Sequence, residues 1–483
     1  MRGFGGTAKK GLLVGIGQLG TQLSSFVRHA IVARWLTPAE FGIAALFVTA
    51  LQLVDLVSNA GVETFLVQDS EGDREDVQAS VQWWRAMRGC MNGAAIFLLA
   101  GPMAYLFALP GLEWEIRLLG LFPLIRGFLH MDAKRLQRHM RFWPSVLMDA
   151  GSNVLATAVG IAVAWLTRDH RAMVAAMLAL AAGSVLISHM VAERPYRWKA
   201  DRSHVRRMMQ FGWPLMVNGL LLFGIFQGDR LLIGMAKTVF GNDRFTLSEL
   251  GVYSIVFSLT MAPALAGANI GTSLFLPMLS AVQKAPEEFA RKYAMCLRWT
   301  AWAGMALAAV FLTAGTWLVV LVSGKQYQPN WWLVAWLSLL WSLRVVRVAP
   351  TMASLALGDT KNTLYSNVAR SLALAGIAVV VTLRADVVWI AFCGFAGEML
   401  ALAVCFLGLR WTQALSLAEP ARVMAWYTAG IVGFAAVGGT LGFSPLLGIA
   451  TLAILAVSAL LLPGVKHGLS DFWLRAARGA ERR

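Results

Sequence analysis

Charge is what this sequence has least of: Asp, Glu, Lys and Arg make up 14% of its 483 residues, against 58% apolar ones. One soluble core cannot absorb that much apolar surface, and a mean hydropathy of +0.62 describes a chain solvated by lipid. Cysteine is scarce as well. The four present, Cys90, Cys296, Cys393 and Cys405, lie in or beside apolar runs with no CxxC spacing and are read as packing residues. None of the seven histidines falls in an HExxH or other metal-ligand spacing, and no nucleophile sits in a recognisable elbow. The sequence therefore points away from an enzyme, and neither a metal nor a bound cofactor is expected.

Long polar connections are also missing. The longest outer one runs from about Ala236 to Ser248, too short to hold the catalytic groups of a membrane glycosyltransferase, polymerase or ligase. What is present is about fourteen apolar runs of spanning length, approximately 11–35, 39–62, 83–107, 112–131, 143–166, 172–192, 209–235, 249–276, 294–322, 331–355, 365–384, 387–409, 425–443 and 445–463. They are too long and too uniformly apolar for the alternating strands of an outer-membrane barrel. The expectation is an all-α polytopic membrane protein of about 14 transmembrane helices. The run from Gly11 continues past polar residues to Trp35 without a small-x-small site, so it is read as the first span rather than as a cleaved leader.

The 42 Lys and Arg outnumber the 26 Asp and Glu, but they form no single patch, and nucleic acid is not an expected partner. They fall in every second connection, roughly 29 inside and roughly 8 outside, which places both termini in the cytoplasm. The strongest clusters are Lys134, Arg135, Arg138 and Arg141, then Arg194, Arg197, Lys199, Arg202, Arg206 and Arg207. Such clusters also attract anionic headgroups of membrane lipids. Trp83, Trp84, Trp331 and Trp332 fit interfacial belts. An acidic stretch from Asp69 to Asp76 stands on the inner side with no evident purpose.

Two short segments echo one another. Thr37, Glu40 and Gly42 open the second span, and Thr246, Glu249 and Gly251 open the eighth with the same spacing. An even number of helices between the copies preserves orientation, so the repeats are read as parallel six-helix lobes. The expected organisation is an N-lobe at 1–192, a basic linker at 193–208, a C-lobe at 209–409, and two further helices with a basic tail at 410–483. Gly15, Gly17 and Gly20 match a GxGxxG dinucleotide fingerprint, but inside an apolar span they read as close helix packing.

Buried polar residues fall into stripes when projected onto helices. Gln18, Gln22, Ser25 and His29 align in the first span with Arg28 beside them, and Gln52, Asp55 and Asn59 align in the second. Ser145, Asp149 and Asn153 align in the fifth, Asn218 and Asp229 in the seventh with Arg230 adjacent, and Arg344 and Arg347 lie one turn apart in the tenth. An arginine at bilayer depth costs roughly 2.5 to 3.5 kcal/mol on insertion scales and needs polar company, and its fork matches phosphate oxygens. Arg28, Arg230, Arg344 and Arg347 are therefore the candidate anion-binding residues, while for Arg126, near a span end, snorkelling to the inner headgroups stands at least level with cargo contact. Asp55, Asp149, Asp229 and Glu398 are candidate ion-coupling sites or counter-charges, with Asn59, Asn153 and Asn218 as polar lining.

The segment Arg34-Trp-Leu-Thr-Pro-Ala-Glu40-Phe-Gly42, with Ser58-Asn-Ala-Gly61-Val62 and Leu66-Val-Gln68 after it, resembles the opening of bacterial polysaccharide flippases. Asp229-Arg-Leu-Leu-Ile-Gly234, Leu250-Gly251-Val-Tyr253-Ser254, Pro263 and Pro277 are similar to the start of the second lobe in the same family, the Wzx-like transporters of the multidrug/oligosaccharidyl-lipid/polysaccharide exporter superfamily. The resemblance implies two six-helix lobes that rock around a central cavity, often with two added C-terminal helices. It further implies movement of an undecaprenyl-pyrophosphate-linked glycan from the inner to the outer leaflet of the bacterial cytoplasmic membrane, with polysaccharide polymerase and export machinery as partners. Coupling to a proton or sodium gradient or to the membrane potential would drive it. A peptidoglycan-precursor flippase and a drug or metabolite antiporter of the same superfamily are the alternatives.

Overall fold

The structure, a computed structural model, describes residues 4–57, 61–413, 415–441 and 445–459. Among them there are twenty α-helices and no strand. In chain order they are α1 (Phe4–Trp35), α2 (Pro38–Val57), α3 (Val62–Gln68), α4 (Glu75–Leu106), α5 (Glu113–Leu119), α6 (Leu121–Gly127), α7 (Asp132–Arg138), α8 (Trp143–Thr167), α9 (Arg171–Met190) and α10 (Arg202–Gly234). Then come α11 (Ala236–Phe240), α12 (Leu247–Ser280), α13 (Pro286–Ser323), α14 (Trp331–Val346), α15 (Val348–Ala356), α16 (Thr360–Ser371), α17 (Ala373–Thr382), α18 (Val387–Gln413), α19 (Ala418–Leu441) and α20 (Pro445–Ala459). Eleven helical stretches among the described residues are long and apolar enough to cross a membrane. The all-helical polytopic architecture expected from hydropathy is the one the chain adopts.

The expected fourth span is not one helix: α5 ends at Leu119 and α6 begins at Leu121. Pro123 has no N–H to give the Leu119 carbonyl, and its ring crowds that carbonyl, so the helix breaks one turn before it. The same rule acts in the tenth span, where Pro350 leaves the Val346 carbonyl without its donor and α14 ends at Val346. There the Thr300 hydroxyl supplies the missing bond at 3.3 Å.

The chain divides into two compact units, with the boundary inside α12. The first runs to Ser254 and takes in Val322–Tyr327 and Ala378–Ala385. The side chains show why these two insertions belong to it. Gln326 and Tyr327 donate to the carbonyls of Ala33, Leu36 and Thr37, capping the end of α1, and Arg34 donates to the Val322 carbonyl at 3.0 Å. Asn242 donates to the Val381 carbonyl at 2.6 Å, and Arg384 to that of Gly241 at 2.7 Å. The second unit comprises Ile255–Leu321, Gln328–Ile377 and the chain from Asp386 on. Its core is small and aliphatic, with Cys296, Leu297, Ala301, Leu343, Val346, Ala349 and Ala353 all buried.

The sequence echo turns out to be a contact. Gly42 faces the Leu247 carbonyl and Gly251 faces the Pro38 carbonyl, each four residues upstream of the other glycine, and the two backbones approach so closely that a Cβ at either position would run into a carbonyl. In both copies the threonine hydroxyl caps the helix start, accepting from Glu40 N–H at 3.3 Å and from Glu249 N–H at 3.2 Å. In the second copy the Glu249 carboxylate closes the capping box on the Thr246 N–H at 3.0 Å. In the first, Glu40 instead holds His170, accepting from its backbone N–H at 2.9 Å and pairing with Nδ1 at 2.6 Å. Gly17 of the GxGxxG run packs against Val146, as a small residue at a helix crossing does.

The acidic stretch also acquires a role. Asp69 and Glu71 pair with Arg207, the first at 2.6 Å, and Asp73 is held by His139 at 3.0 Å, Arg135 at 3.3 Å and Arg194 at 3.6 Å. Arg138 donates to the carbonyls of Asp69 and Ser70, and Glu75 pairs with Arg197 at 2.9 Å. Both strong basic clusters thus close onto 69–76. Beyond setting topology, they tie the α3–α4 connection to α7 and to the start of α10.

Candidate functional site

The candidate residues fall into separate polar clusters, each inside one unit. In the first unit α1 packs on α8 through a polar seam. Ser25 donates to Asn153 Oδ1 at 3.0 Å, Ser24 and Thr157 share a bond of 2.9 Å, and Asn153 Nδ2 donates to the Asp149 carbonyl at 2.9 Å. Arg28 lies in this seam, only 8% exposed, with its stem against Gly160, where a larger residue would crowd it. Its Nη2 reaches Ser25 Oγ at 3.4 Å, while Nε and Nη1 have no hydrogen-bond partner among the described residues. The Asp149 side chain is exposed. Of the four candidate carboxylates it alone has neither an ion pair nor a side-chain hydrogen bond among the described residues.

The second seam joins α2 and α10. Gln227 donates to Gln52 Oε1 at 2.7 Å and accepts from Arg230 Nη1 at 2.6 Å. Asp229 accepts from the Tyr253 phenol at 2.5 Å and from the Arg230 N–H at 2.8 Å. Both Asp229 and Arg230 are buried, whereas Asn218, two turns and more upstream on α10, is exposed. Asn59 lies outside the described residues.

The second unit contains the densest cluster. Glu398 on α18 is fully buried and shared by three arginines: Arg347 Nε at 2.6 Å from Oε1, Arg370 Nε at 2.7 Å from Oε2, and Arg344 Nη1 at 3.9 Å. Arg347 stands at the α14–α15 break that Pro350 creates, and its Nη1 also donates to Ser366 Oγ at 2.8 Å and Asn367 Oδ1 at 3.3 Å. Its guanidinium is thereby committed to protein. Arg344, with a side chain 21% exposed against 4% for Arg347, is the more accessible of the pair. Arg370 was absent from the sequence expectations although it offers the same signal, an arginine inside an apolar run.

A fourth group surrounds a cavity of about 290 Å3 in the first unit, lined by Asp55, Glu63, Arg85, Arg88, Asn92 and Arg126 among others. Arg85 donates to Glu63 at 2.7 Å and to the Arg126 carbonyl at 3.1 Å, and Arg88 pairs with Asp55 at 3.1 Å. Arg85 and Arg88 also went unremarked in the sequence. Their signal is two arginines three residues apart on α4, just past Trp83 and Trp84. No group of three or more potential metal ligands occurs among the described residues.

Two solved structures share this architecture. The lipid II flippase MurJ in an inward closed conformation aligns with a TM-score of 0.63 at 12% identity, covering 93% of this chain and 99% of that one. A multidrug resistance MATE family transporter of the MOP superfamily, inward-facing, aligns at 0.59 and 14% identity over 84% of this chain and 95% of its own. The fold is the one these two structures have, and the chain is a multi-pass helical protein of the bacterial inner membrane. Residues 31–332 match the family model described as polysaccharide biosynthesis protein, and the chain belongs to that family. A curated relative, the succinoglycan biosynthesis transport protein ExoT of Rhizobium meliloti (strain 1021), is 24% identical over 239 residues, which are 50% of this chain and 47% of that protein. The match spans about half the length of the relative.

Proposed function

We propose that this protein is a flippase that carries an undecaprenyl-pyrophosphate-linked oligosaccharide from the inner to the outer leaflet for surface polysaccharide biosynthesis. The observation that carries the reading is the charge imbalance inside the spans of a polysaccharide biosynthesis family member. Three guanidinium groups converge on the Glu398 carboxylate in an apolar unit. A cationic drug would meet repulsion there, whereas a pyrophosphate would be attracted.

In this reading Arg347 and Arg370 are positioning residues, locked on Glu398, and Arg344 is the group that meets cargo oxygens. Arg28 and Arg230 supply positive charge in the first unit. The chain cycles by alternating access while the polyprenyl tail stays in lipid. An inside-negative potential favours outward movement by roughly 2.3 kcal/mol per uncompensated charge per 100 mV. If a proton is coupled, Asp149 carries it, because its exposed carboxylate is the one of the four candidates with no ion pair or side-chain hydrogen bond among the described residues.

The test is reconstitution in liposomes with a fluorescent undecaprenyl-pyrophosphate oligosaccharide, scored by its accessibility from outside. Arg344→Ala is expected to abolish flipping while the protein remains inserted and monodisperse. Full, equal activity in alanine variants of Arg28, Arg230, Arg344 and Arg347 would overturn the cationic mechanism. Absence of flipping by the intact, folded parent would overturn the cargo assignment.

A further inference from the structure

The cavity between α4 and α6 is a site of its own. Three cations take up its two carboxylates: Glu63 serves Arg85 at 2.7 Å and Lys134 at 3.1 Å, and Asp55 serves Arg88 at 3.1 Å. Arg126 receives none of this. It forms no ion pair among the described residues, its Nε has no hydrogen-bond partner there, and its guanidinium lies 5.5 Å from the Phe122 ring centroid. Asp55, Glu63 and Asp149 act on it only through space, beyond ion-pairing distance. Arg126 lines the cavity beside Arg85 and Arg88.

The walls are built for a small, compact ligand. Gly89 packs against the Pro123 carbonyl and the Gly127 backbone, and Gly93 against the Gly120 carbonyl, so α4 lies directly on the broken α5–α6 pair. Arg85 is preorganised, 4% exposed and fixed by Glu63 and the Arg126 carbonyl. A volume of about 290 Å3 has room for a phosphate or diphosphate and several waters.

We propose that this cavity is a phosphate-binding site. It takes the phosphate of an inner-leaflet lipid or a free di- or monophosphate, with Arg126 and Arg88 as the contacting cations and Arg85 as a fixed wall. The site is separate from the Glu398 cluster and does not depend on the cargo proposed above.

The test measures stabilisation of the purified full chain against heat by two probes. One is inorganic pyrophosphate in neutral detergent, and the other is phosphatidylglycerol in nanodiscs compared with phosphatidylcholine. Arg126→Gln should weaken the response about 10- to 100-fold, the loss of one charge-assisted contact. Thr64→Asp, which places a carboxylate at an exposed lining position and removes no buried group, should weaken it as well and guards against misfolding of the first variant. Arg422→Gln, an exposed arginine in the other unit, should leave it unchanged. A pyrophosphate response lost in both cavity variants identifies a soluble-phosphate site, and a phosphatidylglycerol response lost in both identifies a lipid-phosphate site. If neither probe stabilises the parent, or if both cavity variants respond like the parent, the proposal fails.

Discussion

Glu398→Gln is the most demanding perturbation this structure suggests. The carboxylate lies 2.6 and 2.7 Å from two guanidinium nitrogens and 3.9 Å from a third. At an effective dielectric of about 20, each of the two close pairs attracts by about 6 kcal/mol, most of which only offsets the desolvation of the buried ions. The amide removes that attraction but leaves three cations facing one another, and its NH2 opposes a donor. Breaking a buried pair in this way costs about 3–5 kcal/mol, a roughly hundred- to several-thousand-fold loss in the folded-to-unfolded ratio. Arg344→Gln acts in the opposite sense, because it relieves repulsion on a partly exposed side chain, and should stay within about 1 kcal/mol of the parent. The double variant Glu398→Gln with Arg370→Gln should recover part of the loss, since it removes one of the stranded cations. Heating the detergent-solubilised protein and following the monodisperse fraction by size exclusion measures all three. Parental stability in Glu398→Gln, or equal damage from Arg344→Gln, would refute the account of the cluster as cations organised by one anion.

Further outcomes follow from other parts of the chain. Gly42→Ala and Gly251→Ala should each destabilise by about 1–3 kcal/mol or more, because the new methyl meets a backbone carbonyl that cannot rotate away, and parental melting of either would refute the close approach. The bond from His139, aided by Arg135, holds the Asp73 carboxyl below its ordinary value of 3.8. A carboxyl depressed in the folded chain stabilises it fully above that value and progressively less as pH falls below it. Hydrogen exchange in 69–76, corrected for intrinsic rates, should therefore quicken on acidification from about pH 4 to about pH 2. Protection that is flat across that range, or lost on raising the pH, would contradict this. High salt should loosen the same segment, since most of its partners are partly exposed. Asp149→Asn should remove any pH-gradient dependence of flipping. If that dependence survives in Asp149→Asn and vanishes in Asp55→Asn, the coupling carboxylate is Asp55.

The helices were legible because hydropathy is a local property, summed over twenty residues without knowledge of neighbours. Their interruptions were legible in principle as well, since Pro123 and Pro350 each break the helix where the missing N–H would have donated, four residues upstream. The echo of Thr37, Glu40 and Gly42 in Thr246, Glu249 and Gly251 was visible as a spacing. That the two copies touch, each glycine admitting the other's backbone, required the fold. The acidic stretch failed for the same reason. Composition shows five acids between Asp69 and Asp76; Asp76 has a local partner in Arg74, but Asp69, Asp73 and Glu75 find theirs in Arg135, His139, Arg194, Arg197 and Arg207, far along the chain and already explained by topology.

The arginines show where sequence reasoning stops. Arg347 and Arg126 look alike in one dimension, each a cation within or at the end of an apolar run, and the sequence ranked Arg347 as the ligand-binding residue above Arg126, for which snorkelling stood at least level with cargo contact. What separates them is the number of carboxylates and hydroxyls within reach. Arg347 has Glu398, Ser366 and Asn367, so a cargo phosphate would have to displace bonds already made. Arg126 has no ion pair among the described residues, so a phosphate there would add bonds without breaking any. Because Glu398 is 51 residues from Arg347, and Glu63 is 63 residues from Arg126, no local window of sequence could have counted these acids. The unmatched cation, and not the most deeply buried one, is the better guide to where an anion binds.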